Sequence, residues 1–166
     1  MEIILAQQKD IVDILHMINS CVNDLRNNGI FQWDENYPSK TIIKDDIKKK
    51  ELYAIRHNNK SIAIIVINEF QDKEWETVLW SEKIKKPLII HRLTVDINWQ
   101  KKGIGRKLID FALNYARENK YDSVRFDVYS GNPDLIKTYE KMGCEKKGEV
   151  YFPHRELPFY CYELLI

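Results

Sequence analysis

The stretch Leu93-Thr94-Val95-Asp96-Ile97-Asn98-Trp99-Gln100-Lys101-Lys102-Gly103-Ile104-Gly105-Arg106-Lys107 holds the densest chemistry in the chain. An apolar run that reads as a strand leads into a loop with two glycines, and a helical pattern follows at once. Such a junction points several unpaired backbone N–H groups and the positive end of a helix dipole at one spot. An anion suits that spot. Lys101, Lys102, Arg106 and Lys107 surround it with no acid among them. Gly103 and Gly105 lack the Cβ atoms that would hold a phosphate oxygen off the main chain. The plainer alternative is that the glycines only shape a loop and the lysines form a solvated rim, because a lone Gly-x-Gly matches often by chance.

Two familiar phosphate loops fail here. A Walker A loop needs Gly-Lys-Ser/Thr, whereas Gly105 is followed by Arg106-Lys107-Leu108. A dinucleotide fingerprint wants a third small residue where Leu108 stands, within several strand-helix-strand units.

The elements that must position this loop follow from periodicity. Ile3 to Ala6 reads as a short strand. From Asp10, residues Ile11, Ile14, Leu15, Ile18, Val22 and Leu25 recur every three or four positions and predict an amphipathic helix ending near Asn28-Gly29. Pro38-Ser39 opens a second, shorter helix with Ile42, Ile43 and Ile47 on one face. Leu52 to His57 and Ser61 to Asn68 predict a hairpin about Asn58-Asn59-Lys60, whose asparagines tolerate positive φ. Residues 70–87 carry Trp75 and Trp80 and fit only an irregular or partly helical excursion. Leu88 to Val95 is a strand, and Ile104 to Ala116 holds a helical stripe. Ser123 to Val128 is the strand that completes a parallel crossover. Asn132 and Pro133 open a helix that stops at Gly143. Cys144 to Tyr151 and Phe159 to Leu165 form the last two strands. This order predicts a mixed α+β fold, largely antiparallel around one parallel step.

Composition narrows the function classes. The 166 residues suit one domain over 1–166. With 26 Lys+Arg against 25 Asp+Glu the formal charge is +1, so a nucleic-acid partner is not expected and any polyanion needs a local patch. Cys21, Cys144 and Cys161 are odd in number and widely spaced, which argues for a reducing compartment and against structural zinc. The apolar run at Ile3 to Ala6 is too short for a signal peptide, and no stretch nears the ~20 residues of a membrane span. A cytoplasmic protein without a membrane partner is the expectation.

The segment Gln100-Lys101-Lys102-Gly103-Ile104-Gly105 after the strand Leu93-Thr94-Val95 resembles the Gln-x-x-Gly-x-Gly pyrophosphate loop of the GNAT superfamily, the GCN5-related N-acetyltransferases. The resemblance extends to a second motif, Asn132 followed by Tyr139-Glu140-Lys141-Met142-Gly143-Cys144, and to the element order over nearly the whole chain. Cys144 stands where the family usually has Phe or Tyr. The resemblance implies an acyl-CoA N-acyltransferase fold, a three-layer arrangement of a mixed, mainly antiparallel and splayed sheet flanked by helices. It also implies acetyl-CoA as co-substrate, no metal, and direct transfer of the acetyl group to a primary amine of a small molecule or peptide. A non-catalytic acyl-CoA-binding regulatory module is the alternative, and homodimers are common among such relatives.

By the same resemblance, the pyrophosphate meets the backbone from Gln100 to Gly105 and Arg106, and the pantetheine pairs with Leu93, Thr94 and Val95. Asn132 hydrogen-bonds the pantetheine, and Lys101, Lys102, Lys107 or Lys141 meets the 3′-phosphate. Tyr139 sits near the sulfur, whose thiol has an ordinary pKa of ~8.5. An N–H at or near Val95 stabilises the developing oxyanion. Structural roles remain open for Asn132 as a helix cap, Lys141 as a solvated lysine and Tyr139 as core packing.

An alkylamine of pKa ~10 must lose a proton before it attacks. His91 falls on the strand face of Leu93 and Val95 if period-2 alternation holds, and an ordinary imidazole pKa of ~6.5 suits a base. Glu69 at the end of the preceding strand, His154 in the last hairpin loop, or a water chain are the other candidates. The resemblance places the acceptor between residues 29–38, where Trp33 and Tyr37 accompany Asp34 and Glu35, a composition suited to a cationic amine, and residues 151–155 with His154. Ordinary packing of these aromatics is the competing reading.

Overall fold

Fourteen segments of regular structure alternate along the chain, and the computed structural model describes all of residues 1–166. The strands are β1 (Ile3–Leu5), β2 (Leu52–His57), β3 (Lys60–Asn68), β4 (Pro87–Val95), β5 (Ser123–Tyr129), β6 (Glu145–Val150) and β7 (Phe159–Leu165). The helices are α1 (Ile11–Asn27), α2 (Lys40–Lys48), α3 (Ile104–Glu118) and α4 (Pro133–Lys141), and three short 3-10 turns precede α1, β4 and α3. The sheet is splayed, with order β1-β2-β3-β4-β5-β7-β6. β4 and β5 run parallel, while β1 with β2, β2 with β3, β5 with β7 and β6 with β7 are antiparallel. No helix is long and apolar enough to cross a membrane.

Local chemistry explains the boundaries. Ser39 caps α2 by accepting from the Ile42 N–H at 3.3 Å, so Pro38 lies just outside the helix that Pro38-Ser39 announces. Asn58 and Asn59 both take positive φ, 48° and 63°, as a tight hairpin turn between right-twisted strands requires. Gly143 follows α4 at φ 83°, where a side chain would be strained.

The chain packs as two compact units. The first holds residues 1–29, 33–67 and 90–112. Its core gathers the apolar stripe of α1, Ile43 and Ile47 of α2, and Leu52, Ala54, Ile64 and Val66 of the hairpin. The second holds residues 30–32, 68–89 and 113–166. Trp75, Val78, Ile89, Tyr129, Val150, Phe159 and Cys161 form a core there, so the excursion of residues 70–87 is anchored through Trp75 and Val78 while much of it stays exposed. Its one regular piece is the 3-10 turn Lys73–Thr77.

The pattern of β5 shows why that anchoring exists. Ser123, Arg125, Asp127 and Tyr129 alternate with Val124, Phe126 and Val128 along the strand. Phe126 packs its ring against Tyr139 of α4, with centroids 4.5 Å apart. The opposite, polar face receives the excursion. There Arg125 bonds Glu163 of β7 at 2.8 Å and Gln71 at 3.0 Å and lies 4.4 Å from the Trp80 ring centroid. Glu163 also accepts from Ser123 and from the Ser81 N–H, each at 3.3 Å. Burial pushes its carboxyl up, but the bonds from Ser81 and Arg125 outweigh that and hold it below the ordinary carboxylate range.

Candidate functional site

In the first unit, β4 ends at Val95 and the chain is held in place at once. Asp96 N–H donates to the Ile62 carbonyl at 2.9 Å, and the Asp96 carboxylate accepts from Asn98 N–H at 2.9 Å to cap the short turn Ile97–Trp99. Gln100 folds back so that its amide donates to the Val95 carbonyl at 3.0 Å. Cys21 of α1 donates its thiol to the same carbonyl at 3.3 Å, and burial pushes that thiol up to about 11. The Val95 carbonyl thus already accepts two hydrogen bonds from side chains of the same unit. Thr94 is buried, and its hydroxyl donates to the Arg92 carbonyl at 3.2 Å. Leu93 is half-buried.

Lys101 takes φ 57° and Gly103 φ 79°, turning the loop sharply into α3. The first helical bond runs from Lys107 N–H to the Gly103 carbonyl at 3.0 Å. The N–H groups of Gly103, Ile104, Gly105 and Arg106 thus precede the helical ladder and face outward along the helix axis. The two glycines have different reasons. Gly103 is there for its backbone angle. At Gly105 a Cβ would meet only the Val95 side chain, at an ordinary 3.9 Å, so nothing in the chain itself explains the missing side chain.

The cationic rim departs from expectation. Arg106 pairs with Asp110 one turn along α3, at 2.8 Å. Lys107 donates to the Met1 carbonyl and is committed to the N-terminus. Lys102 leans over the Trp99 ring at 5.2 Å, and the exposed Lys101 completes the rim.

The alternation that places His91 with Leu93 and Val95 does not hold. Arg92 takes φ 46° in the middle of β4, a left-handed residue that breaks the period of two. His91 is half-buried just before that break. The Arg92 guanidinium reaches Asp46 of α2 through two bonds, 2.9 and 2.7 Å, and donates to the Tyr37 hydroxyl at 3.0 Å. Tyr37 is thereby committed to a buried ion pair. Trp33 packs against the α1–α2 core and meets Tyr37 edge-on. Asp34 spends its carboxylate on the Asn36 and Tyr37 N–H groups, at 2.8 and 3.0 Å. Of the expected amine-binding set in residues 29–38, only Glu35 remains an exposed, uncommitted carboxylate. The Arg92–Asp46 pair was not foreseen, because residues far apart in sequence give no local sign of a contact.

In the second unit, Tyr139 lies on the buried face of α4, and burial pushes its hydroxyl well above the ordinary phenol range. Asn132 accepts from Leu135 N–H at 3.3 Å and caps α4, so its side-chain oxygen serves the fold. Lys141 is exposed in the last turn. Glu69 is exposed and accepts from the Tyr121 hydroxyl at 2.8 Å, with Lys86 at 4.0 Å. His154 is exposed at φ 62°, and its neighbour Arg155 donates to the Gln32 carbonyl at 2.9 Å, tying the last hairpin loop to residues 30–32.

A family model described as the acetyltransferase (GNAT) family matches residues 18–144. The chain belongs to the GNAT acetyltransferase family. Among GNAT relatives, YesJ, an uncharacterised N-acetyltransferase of Bacillus subtilis (strain 168), is 22% identical over 146 residues, 86% of this chain and 81% of that protein. The fold is similar to that of a GNAT-family acetyltransferase of Streptococcus agalactiae 2603, with a TM-score of 0.82 and 16% identity over 99% of this chain and 95% of that one. It is also similar to a ribosomal-protein-alanine N-acetyltransferase of Brucella melitensis, with a TM-score of 0.74 and 16% identity over the full length of both chains.

Proposed function

We propose that this GNAT protein is an acetyl-CoA-dependent N-acetyltransferase that acts directly on a primary amine of a small molecule or peptide. The observation that carries the reading is Gly105, a helix-start glycine with no packing reason inside the chain, flanked by N–H groups outside the helical ladder. A pyrophosphate fits there, since the backbone donors can hydrogen-bond its oxygens at the positive end of the helix dipole. Relatives whose names specify N-acetyl transfer support nitrogen as the acceptor. Acetyl-CoA supplies an activated acetyl thioester.

Tyr139 acts as a hydrogen-bond donor to the leaving sulfur. Its hydroxyl is pushed above the ordinary range by burial, so full proton transfer to a thiolate of ordinary pKa ~8.5 is uphill, whereas donation without transfer is favourable. The N–H of Val95 is the oxyanion donor. Residues Gln100 and Asp96 hold that strand end and loop in one geometry before any ligand arrives.

Purified protein should bind CoA in calorimetry and release free thiol when given acetyl-CoA and an amine panel of methylamine, spermidine, lysine and Ala-containing peptides. Tyr139→Phe should lower kcat by about tenfold to a hundredfold while leaving the CoA Kd within about twofold. Binding of CoA without thiol release for any amine would leave a binding module and sink the reading.

A further inference from the structure

β4 does not run as a plain strand to its end. Arg92, well inside the strand, takes φ 46°, a left-handed angle that is unfavourable for any residue with a Cβ. Such an angle persists only where the surroundings over-determine it. Here they do. Asp46 of α2 accepts two bonds from the Arg92 guanidinium, the Tyr37 hydroxyl accepts another, and the Thr94 hydroxyl donates to the Arg92 carbonyl. The ion pair is buried, with 10% of the Arg92 side chain and 7% of the Asp46 side chain exposed. The far end of the segment is held as firmly. The Val95 carbonyl accepts from Cys21 and Gln100, and the Asp96 N–H donates to the Ile62 carbonyl. All of these groups belong to the first unit.

Stability does not call for this arrangement. A buried ion pair is often no better for a fold than apolar residues of the same volume. Burial pushes the Asp46 carboxyl above its ordinary range even beside the guanidinium, so the pair does not offset the penalty of its own burial. Ile43 and Ile47 of the same helix already sit in an apolar core, where another aliphatic side chain would pack. What the pair does fix is a direction. A left-handed residue turns the strand, so Leu93, Thr94 and Val95 do not continue the facing of the residues before Arg92.

Resting on the acetyltransfer reading above, we propose that Arg92 and Asp46 are positioning residues for acetyl transfer. Their pair holds the left-handed turn, and the turn aims the Val95 N–H at the carbonyl oxygen of the bound thioester. Neither side chain touches the acetyl group. An oxyanion donor works only when it points at the place where the charge develops, and a displacement of about 1 Å can lower a rate about a hundredfold. The turn therefore bears on the transition state, in which charge gathers on that oxygen. Ground-state binding of the cofactor rests on the start of α3 instead, through the pyrophosphate.

The test pairs thiol release from acetyl-CoA, with the most active amine of the panel above, with CoA calorimetry in variants that keep the space filled. Asp46→Leu together with Arg92→Met replaces the pair by apolar side chains and removes what holds the turn. This protein should unfold no more readily than the wild type and keep its CoA Kd within about threefold, yet lose at least about tenfold in kcat. Its Val95 amide resonance should move while those of Gly103 and Gly105 stay, a pattern that a general loss of stability does not produce. Asp46→Leu together with Arg92→Gly also lacks the pair, but glycine takes a positive φ without strain, so kcat should recover at least about threefold over the first double variant. Asp46→Asn keeps the shape and one acceptor oxygen, should lose at least about fivefold in kcat, and decides the question if the double variants do not fold. If the first double variant or Asp46→Asn folds and keeps kcat within about twofold of the wild type, the proposal is overturned and the acetyltransfer reading stands. A glycine variant no faster than the first double variant overturns it as well. Wild-type protein that binds CoA but releases no thiol with any amine removes both.

Discussion

Residues 96–103 and residues 70–86 are two irregular segments of similar importance, and they are held by opposite means. The first is fixed mostly by its neighbours in sequence, with one distant bond from the Asp96 N–H to the Ile62 carbonyl. Asp96 caps its own turn, Gln100 bonds the Val95 carbonyl five residues earlier, and Gly103 supplies the left-handed angle. The second is fixed from β5 and β7, about forty to eighty residues away in the chain, by Arg125 on Gln71 and Trp80, Glu163 on Ser81, and Asp127 on Trp75. A loop that must present backbone donors to a ligand gains from local, redundant bonds, because its geometry survives motions elsewhere. A layer that covers a polar strand face gains from distant anchors, which order it only when the fold is complete.

This contrast can be broken most directly at Arg125. Arg125→Ala strips a charge from Glu163, whose side chain has no exposed surface, and leaves only Lys147 at 3.8 Å. Removing one partner of a buried pair costs about 3–5 kcal/mol. Urea unfolding should report that loss, and proteolysis should begin within residues 70–86. Cleavage first in residues 96–103 would contradict the anchoring described. At Gly103, φ 79° imposes strain on any side chain. Gly103→Ala should cost about 1–2 kcal/mol and weaken CoA binding, while leaving the protease pattern of the excursion unchanged. Asp96→Ala removes one cap bond and should cost about 1 kcal/mol, read as a small drop in Tm. A loss as large as that for Arg125 would show that the glycine loop is also a tertiary structure.

Much of the first unit was legible because its signals are local. The stripe of α1, the Asn58-Asn59 turn and the two glycines each state a geometry within a few residues. The second unit was legible in its strands and in α4, but residues 70–87 were not, since two tryptophans among alternating charges carry no period. The sign was present in β5 instead. Ser123, Arg125 and Asp127 alternate with apolar residues in a strand that is covered on both faces, and such polar groups need partners that only another segment can bring. The candidate bases show the same limit. His91 was placed by a period of two that Arg92 interrupts, and a left-handed arginine is not written in its residue type. It is held by Asp46, a residue of another helix.

What the sequence by itself determined is the family, the element order and the glycine loop that opens α3, because each depends on spacing along the chain. What the tertiary structure decided is which charges remain for chemistry. Arg106, Lys107, Tyr37 and Asp34 are committed to partners of the chain's own, and burial raises the Asp46 carboxyl even beside Arg92. The physical reason is that a carboxylate's pKa reflects burial and neighbours in space, neither of which a linear string contains.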